Sequence, residues 1–383
     1  MTEQDFIPHG LDTSKLSKGS FTWKTPSNIA LVKYWGKKEP QIPENTSISF
    51  TLNACHTITT LVFEEKKYEN SEFEIYFEGK KKDDFKPKIA SFFERIKLYC
   101  PFLSDYDLVI KSENSFPHSS GIASSASGMS ALALCVMSLE KELWVAERSR
   151  SEIGSLGGSD NYRNKMTEEY FYKKASFLAR LGSGSACRSI KGEIVVWGKH
   201  QEIDGSSNLY GVAFSSEVHE NFKNYQDIIL LVDIGEKQVS STVGHKLMRN
   251  HPFAEQRFSQ AEENITKMKA ILKLGDLKSF VKLVESEAMT LHAMMMTSNP
   301  YFILMKPNTL KIINKIWEYR ANTSSNVCFT LDAGANVHLL FPESEKTVIN
   351  NFVFKELMQF CQNNQYICDS VGYGAKQIAN LKS

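Results

Sequence analysis

Residues 181 to 189 read Leu-Gly-Ser-Gly-Ser-Ala-Cys-Arg-Ser, small side chains and hydroxyls around a single guanidinium, Arg188. Glycine and serine bury little apolar area, so such a stretch makes a poor core segment. Glycine offers backbone freedom, and arginine offers a planar fork that grips carboxylates and phosphates. The chemistry this suggests is capture of an anionic ligand and orientation of its carboxylate. A glycine-rich turn carrying a surface arginine uses the same residues.

Two further segments carry reactive groups. Pro117 to Gly128, Pro-His-Ser-Ser-Gly-Ile-Ala-Ser-Ser-Ala-Ser-Gly, runs into an apolar helical pattern. A helix start built of small residues presents unpaired amides and a positive dipole end on which phosphate can dock. The hydroxyls of Ser119, Ser120, Ser124, Ser125 and Ser127 could add contacts or reach a metal ion. The pattern Gly-x-x-x-x-Gly-Lys-Ser/Thr is missing, which disfavours a Walker-type site. A close-packed, serine-capped helix start is the alternative. Asp332 sits between Val-Cys-Phe-Thr-Leu and Ala-Gly-Ala-Asn-Val, an acid at a turn between two apolar strands. It suits proton abstraction from a hydroxyl there, although aspartate at a glycine-containing turn is also routine. Lys33 interrupts the apolar run from Asn28 to Gly36, where an ammonium is costly unless paired. A nearby aspartate would compensate it; otherwise the head reaches water from a strand edge. Ser240-Ser241-Thr242 offers hydroxyls to a phosphate or to a helix cap, and His292 beside Met294 to Met296 reads as core or pocket lining.

These groups need a frame. Strand patterns are expected at 28–36, 47–52, 57–63, 73–77, 106–111 and 192–197, with helices at 89–99, from 121 through 139, and at 175–181. The polar, charged stretch 149–174 reads as an insertion or mobile excursion. A domain boundary is expected near residue 220, giving domains 1–220 and 221–383. The second half opens with an apolar strand at 228–232, followed by helices at 254–272, 277–296 and 309–320. Strands at 327–331 and 337–341 and a last helix at 346–362 complete it. Strands and helices mix without regular βαβ alternation, so the expected class is α+β.

Lys plus Arg is 45 and Asp plus Glu is 44, a net charge of +1 that gives no global attraction to nucleic acid or an anionic membrane. No apolar run approaches the roughly 20 residues that span a bilayer, and the first residues lack the pattern of a signal peptide. Seven scattered cysteines without Cys-x-x-Cys argue against a disulfide scaffold or structural zinc. A cytoplasmic, reduced protein without nucleic-acid or membrane partners is the expectation.

Taken together, five segments resemble the GHMP kinase superfamily and, within it, the mevalonate 5-diphosphate decarboxylases. They are Asn28 to Lys37 (Asn-Ile-Ala-Leu-Val-Lys-Tyr-Trp-Gly-Lys), Pro43 to Leu52, Pro117 to Gly128, Gly182 to Ser189, and Phe329 to Asn336. Val239 to Gly244 is similar to the family's as well. The resemblance implies a ribosomal-protein-S5-like N-terminal domain, a ferredoxin-like C-terminal domain and an active site in the cleft. It implies ATP as co-substrate, Mg²⁺, mevalonate 5-diphosphate as substrate, and a homodimer. Catalytic roles fall on Asp332, Lys33 and Arg188, and substrate contacts on Tyr34, Lys37, Ser183, Ser185, Arg188, Ser240 and Ser241. ATP contacts fall on Ser119, Ser120, Gly121, Ala123, Ser124, Ser125 and Ser127, with Ser124 toward the metal. Sister activities on the same scaffold are decarboxylation of phosphomevalonate and 3-phosphorylation of mevalonate; a non-catalytic metabolite-binding relative is the remote alternative. About 138–176 is longer than the family pattern, and His118 to Ser120 replace smaller residues.

Overall fold

The computed structural model describes residues 1–8, 16–67, 73–117, 122–154, 166–235 and 241–378, the side chains of 147–154 and 241–242 excepted. The N-terminal half holds strands β1 (Lys18–Val32), β2 (Lys37–Lys38), β3 (Ile42–Pro43), β4 (Ser47–Glu65), β5 (Glu74–Phe77), β6 (Lys80–Lys81), β7 (Tyr106–Asn114), β8 (Ile194–Trp197) and β9 (Val212–Ala213). Its helices are α1 (Lys86–Ile96), α2 (Ser124–Gly154) and α3 (Glu168–Gly182). The C-terminal half holds β10 (Gln226–Leu230), β11 (Cys328–Thr330), β12 (Val337–Phe341), β13 (Tyr366–Ser370) and β14 (Lys376–Ile378). Its helices are α4 (Ser241–Lys246), α5 (Ala254–Leu274), α6 (Leu277–Met296), α7 (Pro307–Thr323) and α8 (Lys346–Phe352).

The first sheet runs β14-β1-β4-β7-β5-β6, with β8 and then β9 added along the other half of the long β4. β1 and β4 pair antiparallel from Lys18↔Glu64 to Val32↔Ile48, with a register shift between Pro26 and Asn28. Proline donates no ladder hydrogen bond, so a strand tolerates it at such an irregularity. Immediately beyond the shift, the Asn28 amide reaches the Ser185 carbonyl and the Ser189 hydroxyl. α2 crosses this sheet and is buried on every side from Ala131 to Glu140. Its apolar residues therefore form no one-sided stripe, as a central helix requires.

The second sheet is antiparallel in the order β11-β12-β10-β13. Successive residues of a strand face opposite sides, and β10 divides accordingly. Ile228 and Leu230 join Ile312, Ile313 and Ile316 of α7 and Phe352 of α8. Ile229 and Leu231 join Ile265 and Met268 of α5, Phe280 and Val284 of α6, and Ile29, Leu31 and Phe50 of the first sheet. One apolar core thus continues across the two halves, and β14 returns to pair with β1. The architecture is α+β. No helix among the described residues is long and apolar enough to cross a membrane.

Three local expectations change. The strand at 28–36 ends at Val32, so Lys33 lies just past its end rather than inside it. The excursion at 149–174 is partly helix: α2 continues to Gly154, residues 155–165 lie outside the described set, and α3 begins at Glu168. Thr167 caps α3 by accepting the Tyr170 N–H at 3.1 Å, and Glu168 and Glu169 favour its positive end. The stripe Phe171, Lys174, Ala175 and Leu178 is buried, while the outward polar residues hide the helix from a reading by hydrophobicity. The helix expected at 346–362 stops at Phe352 and passes through a π turn, Val353–Leu357, into a 3₁₀ turn, Met358–Phe360.

Candidate active site

A cleft of about 530 Å³ is lined from the N-terminal half by Lys33, Tyr34, Lys37, Ser124, Ser183 and Arg188 among others, and from the C-terminal half by His245, Leu291, Asp332 and Ala333. It extends over the sheet as far as Ile75, Tyr76 and Phe77 of β5, three places from β1, and is closed there by Phe85 and Ile89. One arm is therefore polar and cationic; the other is rich in aromatic residues but also carries Lys88, Ser112 and Asn114.

Asp332 follows β11 at the turn before β12, and its Oδ1 accepts a hydrogen bond from Lys33 Nζ at 3.0 Å. The ammonium side chain is 2% exposed and the carboxylate 27%, so the pair sits at the cleft wall with the acid toward the opening. Burial pulls the Lys33 pKa down, and the neighbouring Asp332 charge opposes that shift. The Lys33 backbone is held from both sides. Its N–H donates to Glu287 Oε2 at 2.9 Å, and its carbonyl accepts from Asn45 at 2.9 Å and from Arg257 at 3.2 Å. Glu287 itself accepts two hydrogen bonds from Arg257 and one from Asn264 at 2.6 Å. On the other side, the Asp332 carbonyl accepts from His292 Nε2 at 3.2 Å. Burial drives the His292 pKa down to about 4, so the ring is neutral with its proton on Nε2.

The loop after α3 forms a 3₁₀ turn, Gly184–Ser189, that turns Arg188 inward. Its Nη1 donates to Ser47 Oγ at 2.6 Å and its Nε to Asn28 Oδ1 at 3.4 Å. Both partners are neutral, and among the described residues Arg188 makes no ion pair, although it is 3% exposed. Lys37, also buried, donates to the neutral Gln41 at 2.7 Å. Burial lowers the pKa of Arg188 and of Lys37. Asp332 and Glu39 oppose those shifts only through space; a buried cation without a directly bound counter-charge is expensive, and an anion entering the cleft offsets that cost. At Gly184 an added Cβ would stand 2.8 Å from both Tyr34 Oη and Trp197, so only glycine allows this close approach. Tyr34 Oη is buried without a hydrogen-bond partner among the described residues.

At the start of α2, Ala123, Ser124 and Ser125 line the cleft, and Ser125 lies 3.4 Å from the Ser183 hydroxyl. Ser183 and Ser185 line it too. Ser127, expected among the ATP contacts, is not part of the lining. It is fully buried with its hydroxyl 2.6 Å from Thr57 Oγ1, and its carbonyl accepts from Thr25. Two positions beyond Ser125, its side chain turns toward the sheet and fastens the helix there. Ser119, Ser120, Gly121 and Ser240 lie outside the described residues, and Ser241 begins α4 with its side chain undescribed.

Sequence reasoning missed His245, Gln41, Asn28 and Ser47, and the buried pair Arg257–Glu287. For the pair a signal existed. Glu287 follows Phe280 and Val284 at helical spacing, and Arg257 precedes Ala261 and Ile265 in the same way. Each charge thus falls on the apolar face of its helix, where it must find a partner.

A buried cationic cleft ending on a lysine–aspartate pair, carried by this two-sheet α+β frame, defines a GHMP-kinase-fold protein that handles anionic small molecules. The chain belongs to the diphosphomevalonate decarboxylase family. Residues 25–160 and 161–209 match the diphosphomevalonate decarboxylase-like N-terminal domain, and 227–380 match the mevalonate 5-diphosphate decarboxylase C-terminal domain. The chain is 28% identical to diphosphomevalonate decarboxylase mvd1 of Aspergillus fumigatus, over 86% of this chain and 78% of that protein. It is 28% identical to the diphosphomevalonate decarboxylase of Saccharomyces cerevisiae, over 86% and 80%. The mevalonate diphosphate decarboxylase of Staphylococcus aureus superimposes with a TM-score of 0.76 at 27% identity, covering 94% of this chain and 98% of that one. MDDEF in complex with MVAPP, AMPPCP and magnesium superimposes with a TM-score of 0.76 at 26% identity, covering 94% and 99%.

Proposed function

We propose that this chain catalyses the ATP-dependent decarboxylation of mevalonate 5-diphosphate to isopentenyl diphosphate. The observation that carries the reading is the presence of two buried cations, Arg188 and Lys37, whose hydrogen-bond partners among the described residues are all neutral, in the same cleft as the Lys33–Asp332 pair. A substrate with a carboxylate at one end and phosphates at the other supplies a directly bound anion to each.

Arg188 grips the carboxylate through its fork, a charge-assisted contact stronger than a neutral hydrogen bond. Asp332 orients the 3-hydroxyl and takes its proton, and Lys33 fixes Asp332 while stabilising charge on the transferring phosphoryl. The γ-phosphoryl of ATP passes to the hydroxyl oxygen, releasing ADP. The C3–O bond then breaks with its electron pair leaving on phosphate, and the C1–C2 pair forms the C2=C3 double bond as carbon dioxide departs. Tyr34, Lys37, Ser183 and Ser185, with Ser240 and Ser241, hold the diphosphate. The segment Ser119 to Ser125 that leads into α2 cradles the ATP phosphates, and the arm formed by Ile75, Tyr76, Phe77 and Phe85 receives the base. Such a reaction asks mainly for positioning and charge stabilisation.

Magnesium binds oxygen donors, keeps several waters and is held largely through substrate phosphates. Ser124, at the start of α2 and lining the cleft, is the protein residue that would reach such an ion carried by ATP. When bound, it neutralises phosphate charge. The reading also includes the division near residue 220, a cytoplasmic location and a homodimer, the last checked by light scattering on the purified protein.

The test is a substrate comparison. Purified protein with ATP, Mg²⁺ and mevalonate 5-diphosphate is expected to release carbon dioxide and ADP in equal amounts. Turnover of mevalonate 5-phosphate or mevalonate at comparable efficiency overturns the substrate assignment, and ADP without carbon dioxide overturns the decarboxylation.

A further inference from the structure

His245 lines the cleft but has no part in the chemistry above. It belongs to α4, which packs against the segment following β1. An added Cβ on Gly244 would stand 2.5 Å from the Trp35 ring, so glycine lets the short helix settle onto the indole. The imidazole then packs between Tyr34, ring centroids 4.2 Å apart and planes tilted by 34°, and Trp35, at 4.6 Å and 39°. In this position Nδ1 accepts the backbone N–H of Gly36 at 3.0 Å. An amide N–H can only donate, so Nδ1 carries no proton and the ring hydrogen resides on Nε2. Nε2 has no hydrogen-bond partner among the described residues. Burial, helped by Lys37 and Arg188, pushes the ring's pKa down to about 3, which keeps the ring neutral, as the tautomer that the geometry requires demands.

We infer that His245 is a fixed, neutral hydrogen-bond donor to the diphosphate of the substrate, acting through Nε2–H. This rests on the reading of the substrate as a diphosphate and adds a binding residue to that site. The arrangement has a physical logic. A third cation beside Lys37 and Arg188 would repel them while the cleft is empty, whereas a neutral donor aims a dipole at an oxyanion without adding charge. The Gly36 N–H holds the tautomer, and Tyr34 and Trp35 hold the ring plane, so little ordering is left for the moment of binding.

Two measurements test it. In H245N the amide oxygen can replace Nδ1 as acceptor for Gly36 while the Nε2 donor is lost; in H245Q the amide nitrogen can replace Nε2. For H245N, KM for mevalonate 5-diphosphate is expected to rise about tenfold or more, as for a hydrogen bond to a charged group. kcat should change by less than threefold and KM for ATP less than twofold, the pattern of lost uniform binding. H245Q should raise KM less than H245N does. A wild-type KM in H245N overturns the proposal. Independently of turnover, ¹⁵N-histidine NMR at neutral pH should show the Nε2–H tautomer for His245, and inorganic pyrophosphate should shift that Nε2 resonance. A His245 with its proton on Nδ1, or an Nε2 resonance silent to pyrophosphate, overturns it even where decarboxylation is observed. Absence of decarboxylation alongside a pyrophosphate-responsive Nε2 overturns the activity and leaves the diphosphate contact supported.

Discussion

Glu287→Gln is the change whose consequence the structure defines most closely. The carboxylate is fully buried and accepts from the Lys33 N–H, from both terminal nitrogens of Arg257 and from Asn264. Glutamine keeps the volume, so no cavity opens. It replaces one acceptor oxygen by a donor, however, and that donor must face another N–H. It also removes the only carboxylate in salt-bridge contact with Arg257 among the described residues, leaving a guanidinium of 2% exposure without its charge partner. Removing one member of a buried pair costs about 3–5 kcal/mol because the other remains buried and charged. That is a large share of the roughly 5–15 kcal/mol by which a folded domain is stable. Urea unfolding by circular dichroism measures the loss. Replacing both partners by apolar residues, R257M/E287L, should cost less than the sum of the two single changes, since neither charge is then stranded. A loss below about 1 kcal/mol in E287Q, or strict additivity in the double variant, would refute the reasoning. The same carboxylate fixes the peptide of Lys33, so surviving E287Q protein should also show a reduced kcat, as small misplacements of catalytic groups do.

Two further outcomes follow from the same geometry. Asp332→Asn removes the base while Lys33 stays in place; turnover should fall by about 10²–10⁴-fold with ATP affinity, measured by calorimetry, within threefold, and near-normal turnover would refute the role. Stability should also depend on pH through two buried histidines, because burial holds His245 at about 3 and His292 at about 4, below the ordinary value of 6.5. The unfolded chain binds protons near pH 6.5 that the folded chain refuses until pH 3–4. Stability is therefore complete above pH 6.5 and declines as pH falls, by about 2–3 kcal/mol per histidine at pH 4.5. Urea midpoints between pH 7.5 and 4.5 measure this, and a flat profile refutes it.

Much of the frame was legible because local patterns reported it. The apolar run at 228–232 could be read as a strand, and the long periodic stretches at 254–272 and 277–296 as helices. The charged segment leading into α3 was not legible. Its first turns, Glu168 to Lys174, depend on a cap at Thr167 and on neighbours that bury Phe171 and Lys174, while four of those seven residues are charged; the rest of α3 was expected as the helix at 175–181. In the site, the lysine in an apolar run required a counter-charge, and an acid at a turn between buried strands was a fitting candidate for it.

What the sequence by itself determined was therefore the inventory: a guanidinium in a small-residue loop, a lysine that needs a partner, an acid at a strand turn, and a serine-rich helix start. Spacing and cost are local properties, and they survive without coordinates. Only the tertiary structure decided who meets whom. Glu287 lies 254 positions from the peptide it holds, and His245 takes its tautomer from Gly36, 209 positions away. Ser127 turns to the sheet while Ser124 and Ser125 face the cleft, although all three look alike in sequence. Contacts of that separation are set by how the two sheets and their helices close a common core, and no periodicity along the chain encodes them.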